Sequence, residues 1–128
     1  MTADAGRSWV DVTGDILTAT NVCANRKRCG KWRPSAVLLV PLGDAGTALI
    51  IGTVAGTFAA HIAKGKGSAV APMSAPWVRL GKCTQLPLVL VAGLSYEASS
   101  DTVTAATMGR GVYLLPNASR VLTAALGA

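Results

Sequence analysis

The hydrophobic residues of this chain concentrate in two runs that carry almost no charge. The first run, SAVLLVPLGDAGTALIIGTVAGTFAAHI, spans residues 35–62, and Asp44 is its only formally charged side chain. The second run, LPLVLVAGLSY, spans residues 86–96. Glycines at 43, 46, 52 and 56 divide the first run into pieces of strand length. Because these pieces are also rich in β-branched residues, the pattern favours strands over a helix.

The first run predicts three consecutive strands. SAVLLV at 35–40 and TALIIG at 47–52 form the first two, with a turn at 41–46 between them. TVAGTFAAHIA at 53–63 is the third. The alanine-rich end of this third segment is ambiguous by its pattern and could instead be helical.

The second half of the chain predicts further short strands separated by turns. Residues 77–80 alternate as a short strand, and residues 86–96 predict one long buried strand. A polar turn at 97–101 precedes a strand at 102–108, and a glycine turn at 109–111 precedes a strand at 112–116. Asn117 can cap a short final helix, which Gly127 would end.

These elements predict a mainly β fold in one domain of 128 residues. We expect a compact β-barrel or β-sandwich-like domain with an extended N-terminal arm and a short C-terminal helix. The arm spans residues 1–22, a basic loop residues 23–34, the β core residues 35–116 and the helix residues 117–128. Alternation at residues 8–12 predicts a short strand within the arm.

Charged residues make up 14% of the chain, against about a quarter in typical soluble domains. So small a fraction of charged residues indicates either a membrane segment or a surface buried against other copies or partners. A spanning helix needs about 20 predominantly apolar residues, whereas residues 47–63 are diluted by glycine and threonine and are followed by Lys64. We therefore expect no membrane span. The N-terminus also lacks the pattern of a signal peptide, so we expect a cytosolic origin.

A short basic cluster precedes the first hydrophobic run. Its six candidate contact residues are Arg26, Lys27, Arg28, Lys31, Trp32 and Arg33. Cations can neutralise phosphates and an exposed aromatic ring can stack on a base, so the cluster is a candidate nucleic-acid contact. The same residues are also compatible with a solvated loop that keeps an apolar protein soluble, and with a salt-bridging contact to an acidic protein surface.

The cysteines and the histidine do not form a recognisable metal site. Five residues separate Cys23 from Cys29, more than the two to four typical of zinc fingers. Adding His61 and Cys83 would complete a Cys3His set, but the spacings fit no finger pattern. We expect buried thiols or one optional disulfide, and neither a metal nor a cofactor.

Catalytic signatures are equally weak. His61 is the only histidine and lies in an alanine- and isoleucine-rich segment, which favours a histidine at the edge of the core or in an interface. The sequence contains no Gly-x-Ser-x-Gly motif, and Glu97 is its only glutamate. We therefore expect a protein that is not an enzyme, although a catalytic site assembled from distant residues is an alternative.

The last third of the chain resembles a known family. The segments that carry the resemblance are LVLVAGL at 88–94, TVTAA at 102–106 and MGRGVYLLP at 108–116. Together they are similar to small capsid decoration (cement) proteins of tailed bacteriophages. The resemblance implies a compact β protein that sits on a capsid lattice, often as a trimer. It implies the virion as the location, after assembly in the host cytoplasm, and a major capsid protein and further copies as partners.

The basic cluster and the cysteines are not part of that pattern. Because the resemblance agrees with the low fraction of charged residues, our first hypothesis is a structural protein of an assembly. The second hypothesis is a small coat protein that binds nucleic acid through the basic cluster, and the third is an enzyme.

Overall fold

The computed structural model describes residues 1–2, 5–16, 34–64, 76–81 and 85–128. Within these ranges the chain is mainly β, with two antiparallel sheets and a short C-terminal helix. The first sheet contains β1 (Pro34–Pro41), β2 (Thr47–Thr53), β3 (Gly56–Ile62) and β4 (Val78–Leu80), in that order. The second contains β5 (Val91–Glu97), β6 (Thr102–Thr107) and β7 (Gly111–Leu115), and the helix α1 spans Ala118–Leu126.

The first sheet follows the hydrophobic pattern closely. The three strands that the first run predicts are β1, β2 and β3, and the alanine-rich end of the run is strand rather than helix. The antiparallel register sets Leu49 opposite Ala60 and Ile50 opposite Ala59, so in both pairs a large side chain of β2 faces a small one of β3. A single turn of 3-10 helix at Gly43–Ala45 connects β1 to β2, where the sequence predicts a turn.

Both faces of the first sheet pack against other parts of the chain. On one face Val40, Ile50 and Ala59 form a core with Val103 of the second sheet and Leu122 of α1. The opposite face packs in a second core whose members are Ile16, Leu49, Phe58, Ala60, Ile62 and Trp77. Burial on both faces explains why β2 and β3 are continuously apolar instead of alternating, whereas Val37 and Leu39 of β1 stay exposed on one face.

The N-terminal arm is bound to the first sheet without forming a strand at residues 8–12, so that prediction is wrong. The N-terminal amine of Met1 donates to the Val10 carbonyl at 2.8 Å, and the Val10 N–H donates to the Met1 carbonyl at 2.8 Å. The indole N–H of Trp77 donates to the Thr13 carbonyl at 2.8 Å, and the Trp77 backbone N–H donates to Asp15 at 3.0 Å. The arm is therefore held by hydrogen bonds that Trp77 donates, and not by pairing with a strand.

The long buried strand predicted at residues 86–96 is shorter and less buried than expected. β5 begins at Val91, and residues 86–90 form no strand. Pro87 cannot donate a backbone hydrogen bond to a ladder, and the Leu86 carbonyl accepts from Arg79 at 3.0 Å instead. Val91 is the only buried residue of β5, and the core-facing Leu94 and Tyr96 are half-buried.

The C-terminal helix lies where the sequence places it. Gly127 ends α1 in the left-handed conformation at φ 64°, and its N–H donates to the Thr123 carbonyl. Asn117 precedes the helix with φ 51°, yet its side chain makes no capping hydrogen bond within the described chain. In the described ranges no helix has the length and apolar character that a membrane span requires.

Candidate assembly surface

The second sheet has one face against the core and one face turned away from it. Its core-facing side chains include Leu94, Tyr96, Val103 and Leu115. Since side chains alternate along a strand, the residues between them lie on the opposite face. We call this opposite face the outer face, and it consists of Gly93, Ser95, Glu97, Thr102, Thr104, Ala106, Val112 and Leu114.

The outer face carries large apolar side chains along one border. Val112 and Leu114 of β7 are 64% and 66% exposed, and Met108 in the adjoining turn is 64% exposed. Isolated exposed hydrophobic residues are ordinary on protein surfaces, whereas a contiguous group indicates an interaction site. The register places Leu114 beside Thr104 and Val112 beside Ala106, so small uncharged residues continue the surface.

Charged residues lie at the two ends of the second sheet. Glu97 is the last residue of β5, and Arg110 lies in the turn between β6 and β7, at the opposite end. Hydrogen bonds from the backbone N–H and the hydroxyl of Ser99 lower the pKa of Glu97 below its ordinary value. The middle of the outer face is thus uncharged and flanked by one acidic and one basic residue.

β7 is also an edge strand within the described part of the chain. It pairs with β6 along one side, and no other described strand pairs with its second side. Natural proteins usually protect such an edge with charged residues, prolines or a bulge. The five residues of β7, GVYLL, contain no charge and no proline, and Pro116 follows directly after them.

Asp101 holds the second sheet against α1. It lies in the turn between β5 and β6 in the left-handed conformation, with φ 46°. Its carboxylate accepts from the Ser119 hydroxyl at 2.7 Å, from the Ser119 N–H at 3.0 Å and from the Tyr96 hydroxyl at 3.0 Å. The Asp101 carbonyl accepts from the Ala118 N–H at 2.8 Å. Two N–H groups of the first helical turn, which have no partner within the helix, are thereby bonded to a residue from another element.

These contacts shift two pKa values in opposite directions. The hydrogen bonds from the hydroxyl and N–H of Ser119, helped by that from Tyr96, stabilise the ionised carboxylate and lower the pKa of Asp101. Partial burial, with the Asp101 carboxylate beside it, raises the pKa of Tyr96. The cluster therefore has the character of a structural link in which the carboxylate is ionised at neutral pH. A shallow depression of about 980 Å³ lies beside it, between Pro41, Arg120 and Ala128.

A second apolar feature lies on the other side of the molecule. It is a groove of about 670 Å³ on the first sheet, on the face turned away from the second sheet. Met1, Val12 and Ile16 line one side, and Val37 and Leu39 of β1 line the other. Both β1 residues are exposed, so this groove is a further candidate contact surface.

The six residues of the basic cluster and the three cysteines lie outside the described residues. Of the residues weighed for catalysis, His61 is half-buried at the edge of β3, and its Nε2 lies 2.6 Å from the Ala45 carbonyl oxygen, which makes Nε2 the donor. Glu97 is exposed and bonded to Ser99. In the part of the chain that the structure describes, no three or more histidine, cysteine, aspartate or glutamate residues are grouped as a metal ion would need.

The charge is unevenly divided between the described and the remaining residues. Seven of the 12 basic residues and one of the six acidic residues lie outside the described ranges, which leaves five of each inside. The described domain is therefore balanced, and the net charge of +6 comes from the other segments. One exposed ion pair, Lys64 to Asp44 at 3.7 Å, is of the kind that contributes little to stability.

The sequence pattern pointed to the basic cluster as the partner contact and did not single out the outer face. The strand segments TVTAAT and GVYLL could have indicated the outer face, because successive side chains of a strand point to opposite faces and every second residue therefore lies away from the core. The role of Asp101 had no comparable local signal, since Ser119 is 18 residues further along the chain.

Comparisons of the chain with protein-family models, with curated proteins and with solved structures find no match.

Proposed function

We propose that this chain is a non-enzymatic structural protein of an assembly, and specifically a capsid decoration or capsid-stabilising protein of a virion. The observation that carries the proposal is the outer face, a sheet surface with an uncharged middle that is bordered by exposed Val112 and Leu114. Such a surface loses little polar hydration when it is covered, and its apolar border gains free energy from burial. The resemblance of segments within residues 88–116 to phage decoration proteins supports the same function.

In this proposal the fold is a compact β-sandwich-like domain. The support is that side chains from the first sheet, the second sheet and α1 share one core, with Ile50, Val103 and Leu122 among its members. The partners are further copies of the chain and a major capsid protein lattice. The location is the virion, with assembly in the host cytoplasm.

The test is whether the chain is a stoichiometric component of purified particles. Particles produced by cells that express the complete set of accompanying structural proteins are banded by density and analysed by quantitative mass spectrometry. We expect the chain in the particle band at a fixed ratio to the major structural protein. We also expect Leu114→Lys, which places a charge on the outer face, to lower this ratio at least tenfold.

Leu88→Lys is the matched control, since Leu88 is 61% exposed but lies outside the outer face. It should be incorporated like the unchanged chain. Absence of the chain from the particle band, or equal incorporation of Leu114→Lys and the unchanged chain, would argue against the proposal.

A second candidate function is nucleic-acid binding through the basic cluster. The observation in its favour is that five cations and Trp32 lie within eight residues, while the described domain has balanced charge. The test is retention on immobilised single-stranded DNA at increasing salt. Binding of this kind falls steeply with salt, because each neutralised phosphate releases counterions. Loss of retention in the triple variant Arg26→Ala, Lys27→Ala, Arg28→Ala would support this function, and unchanged retention would contradict it.

A further inference from the structure

We infer that β7 pairs edge to edge with β7 of a second copy of this chain, in antiparallel orientation, and so joins two three-stranded sheets into one of six strands. The inference rests on the proposed function, because it names the partner of one border of the outer face. It also makes a statement that the proposed function does not, namely that the contact runs through backbone hydrogen bonds.

The second side of β7, which no described strand covers, offers a short and well-bounded template. An edge strand presents N–H and C=O groups that an added strand can satisfy, which is how many proteins bind an extended segment. The template begins at Gly111, directly after the turn, and ends at Leu115, because Pro116 has no N–H to continue the ladder. A partner strand of five residues therefore fits this edge.

β7 is complementary to itself. In an antiparallel pair centred on Tyr113, Val112 lies opposite Leu114 of the second copy, and Leu114 lies opposite Val112 of the second copy. All four side chains then lie on the same side of the joined sheet, because Val112 and Leu114 share the outer face. Cross-strand pairs of apolar residues are a main source of sheet stability. The same contact is made twice, as a two-fold interface requires.

The electrostatics of the surface permit this contact and do not select a charged partner. β7 has no charged residue, and the described domain carries equal numbers of acidic and basic residues. Within the strand itself a charged peptide or a nucleic acid would find no complementary group, and Arg110 lies only in the turn that precedes it. A second copy brings the same uncharged strand, and no like charges on the two strands are forced together.

The size of the contact predicts weak association. A stable interface buries about 800 Å² on each partner, and a five-residue strand with two exposed side chains beside it covers less. We therefore expect a dimer that forms at high protein concentration and dissociates on dilution. Weak contacts of this kind become effective when several copies are held side by side on a larger particle.

The experiment measures association and backbone protection together. Sedimentation equilibrium of the purified chain, between about 10 µM and about 1 mM, spans the range of weak interfaces. We expect a monomer at the lower limit and a dimer at the upper limit. Hydrogen exchange of the β7 amides that face away from β6 should slow at least fivefold between the two concentrations. A monomer throughout, or a dimer without slower exchange in β7, would overturn the inference.

A matched pair of double variants separates β7 from general charge effects. The test variant is Val112→Lys with Leu114→Lys, and the control is Val54→Lys with Leu88→Lys. Both variants replace one exposed valine and one exposed leucine and add two positive charges, and Val54 and Leu88, 45% and 61% exposed, lie outside both the outer face and the groove. The test variant should weaken dimerisation at least tenfold, and the control should leave it within twofold. Equal weakening by both variants would contradict the inference.

The result is distinguishable from a failure of the proposed function. A chain that is incorporated into particles but is monomeric at every concentration retains the proposed function and loses the β7 contact. A chain that dimerises through β7 but is absent from particles retains the β7 contact and loses the proposed function. Circular dichroism of both double variants checks that they fold. If the test variant does not fold, the concentration dependence of hydrogen exchange in the unchanged chain decides the question.

Discussion

Gly52 and Val91 bring the two sheets into direct contact. A β-carbon built on Gly52 would lie 2.8 Å from Cγ1 of Val91 and 3.0 Å from its carbonyl oxygen, closer than side-chain carbons normally approach. The Ser35 hydroxyl lies at the same point, 3.1 Å from the Gly52 carbonyl oxygen and 2.5 Å from the Val91 carbonyl oxygen. The absence of a side chain at residue 52 thus allows β5 to cross β2.

Replacement of Gly52 by alanine should destabilise the protein. The added methyl group requires β5 to move away from β2, and overpacking of this kind costs about 1–3 kcal/mol. The free energy of unfolding, measured by denaturant titration, should fall by that amount. Gly93→Ala is the control, because its β-carbon would meet Ala106 at an ordinary 3.9 Å. If both variants are equally stable, the close contact between the sheets does not exist in solution.

Replacement of Asp101 by asparagine should change how stability depends on pH. The pKa of Asp101 is lowered in the folded protein, so its contribution is present above the unfolded pKa of about 4 and is lost as pH falls through the folded value. Asparagine tolerates the left-handed backbone but cannot ionise. We expect a lower Tm than that of the unchanged protein at pH 7, and a difference that shrinks as the pH falls below about 4.

The measurement is Tm against pH for the unchanged protein, Asp101→Asn and Glu97→Gln. Glu97 also has a lowered pKa, but Ser99, its partner, lies in the same exposed turn. The Glu97 variant should therefore change the curve less than the Asp101 variant, which loses contacts to both Ser119 and Tyr96. Parallel curves for the unchanged protein and Asp101→Asn would contradict the role given to Asp101.

Truncation of Leu122 should show that α1 is part of the core. Leu122 is fully buried in the core to which both sheets contribute, and removal of a buried leucine side chain costs about 2–5 kcal/mol. Val121 precedes it on the exposed side of α1, and Val121→Ala should change the free energy of unfolding by less than about 0.5 kcal/mol. Denaturant titration compares the two. Similar losses for both variants would mean that α1 packs differently.

Replacement of Trp77 by phenylalanine should loosen the N-terminal arm. The change removes the hydrogen bond to the Thr13 carbonyl and leaves space in a core where Trp77 is 2% exposed. Together these losses should lower the free energy of unfolding by about 1–3 kcal/mol. Trp9, which is 74% exposed, provides the control Trp9→Phe, for which we expect no measurable change. Equal stability of the two variants would mean that the arm is not bound through Trp77.

Features that depend on neighbouring residues could be predicted from the sequence. The strands β1, β2 and β6 follow from apolar and β-branched residues between glycine and polar turns. Gly127 ends α1 because glycine adopts the left-handed conformation without strain. The mainly β class follows from the number and spacing of such segments. In each case the signal and the structure it specifies lie within about ten residues of each other.

Features that depend on residues distant in the sequence emerge only in the folded chain. A continuous apolar run does not reveal which of its residues form a strand or how many of them are buried. The start of β5 at Val91 depends on Pro87 and on packing against β1 and β2. Asp101, and not Asn117, accepts hydrogen bonds from the first N–H groups of α1, because the turn between β5 and β6 folds over the start of the helix. Alternation separates two faces of a sheet, but the position of the core sets which face is covered. Val112 and Leu114 are exposed because the core lies on the other side of β7.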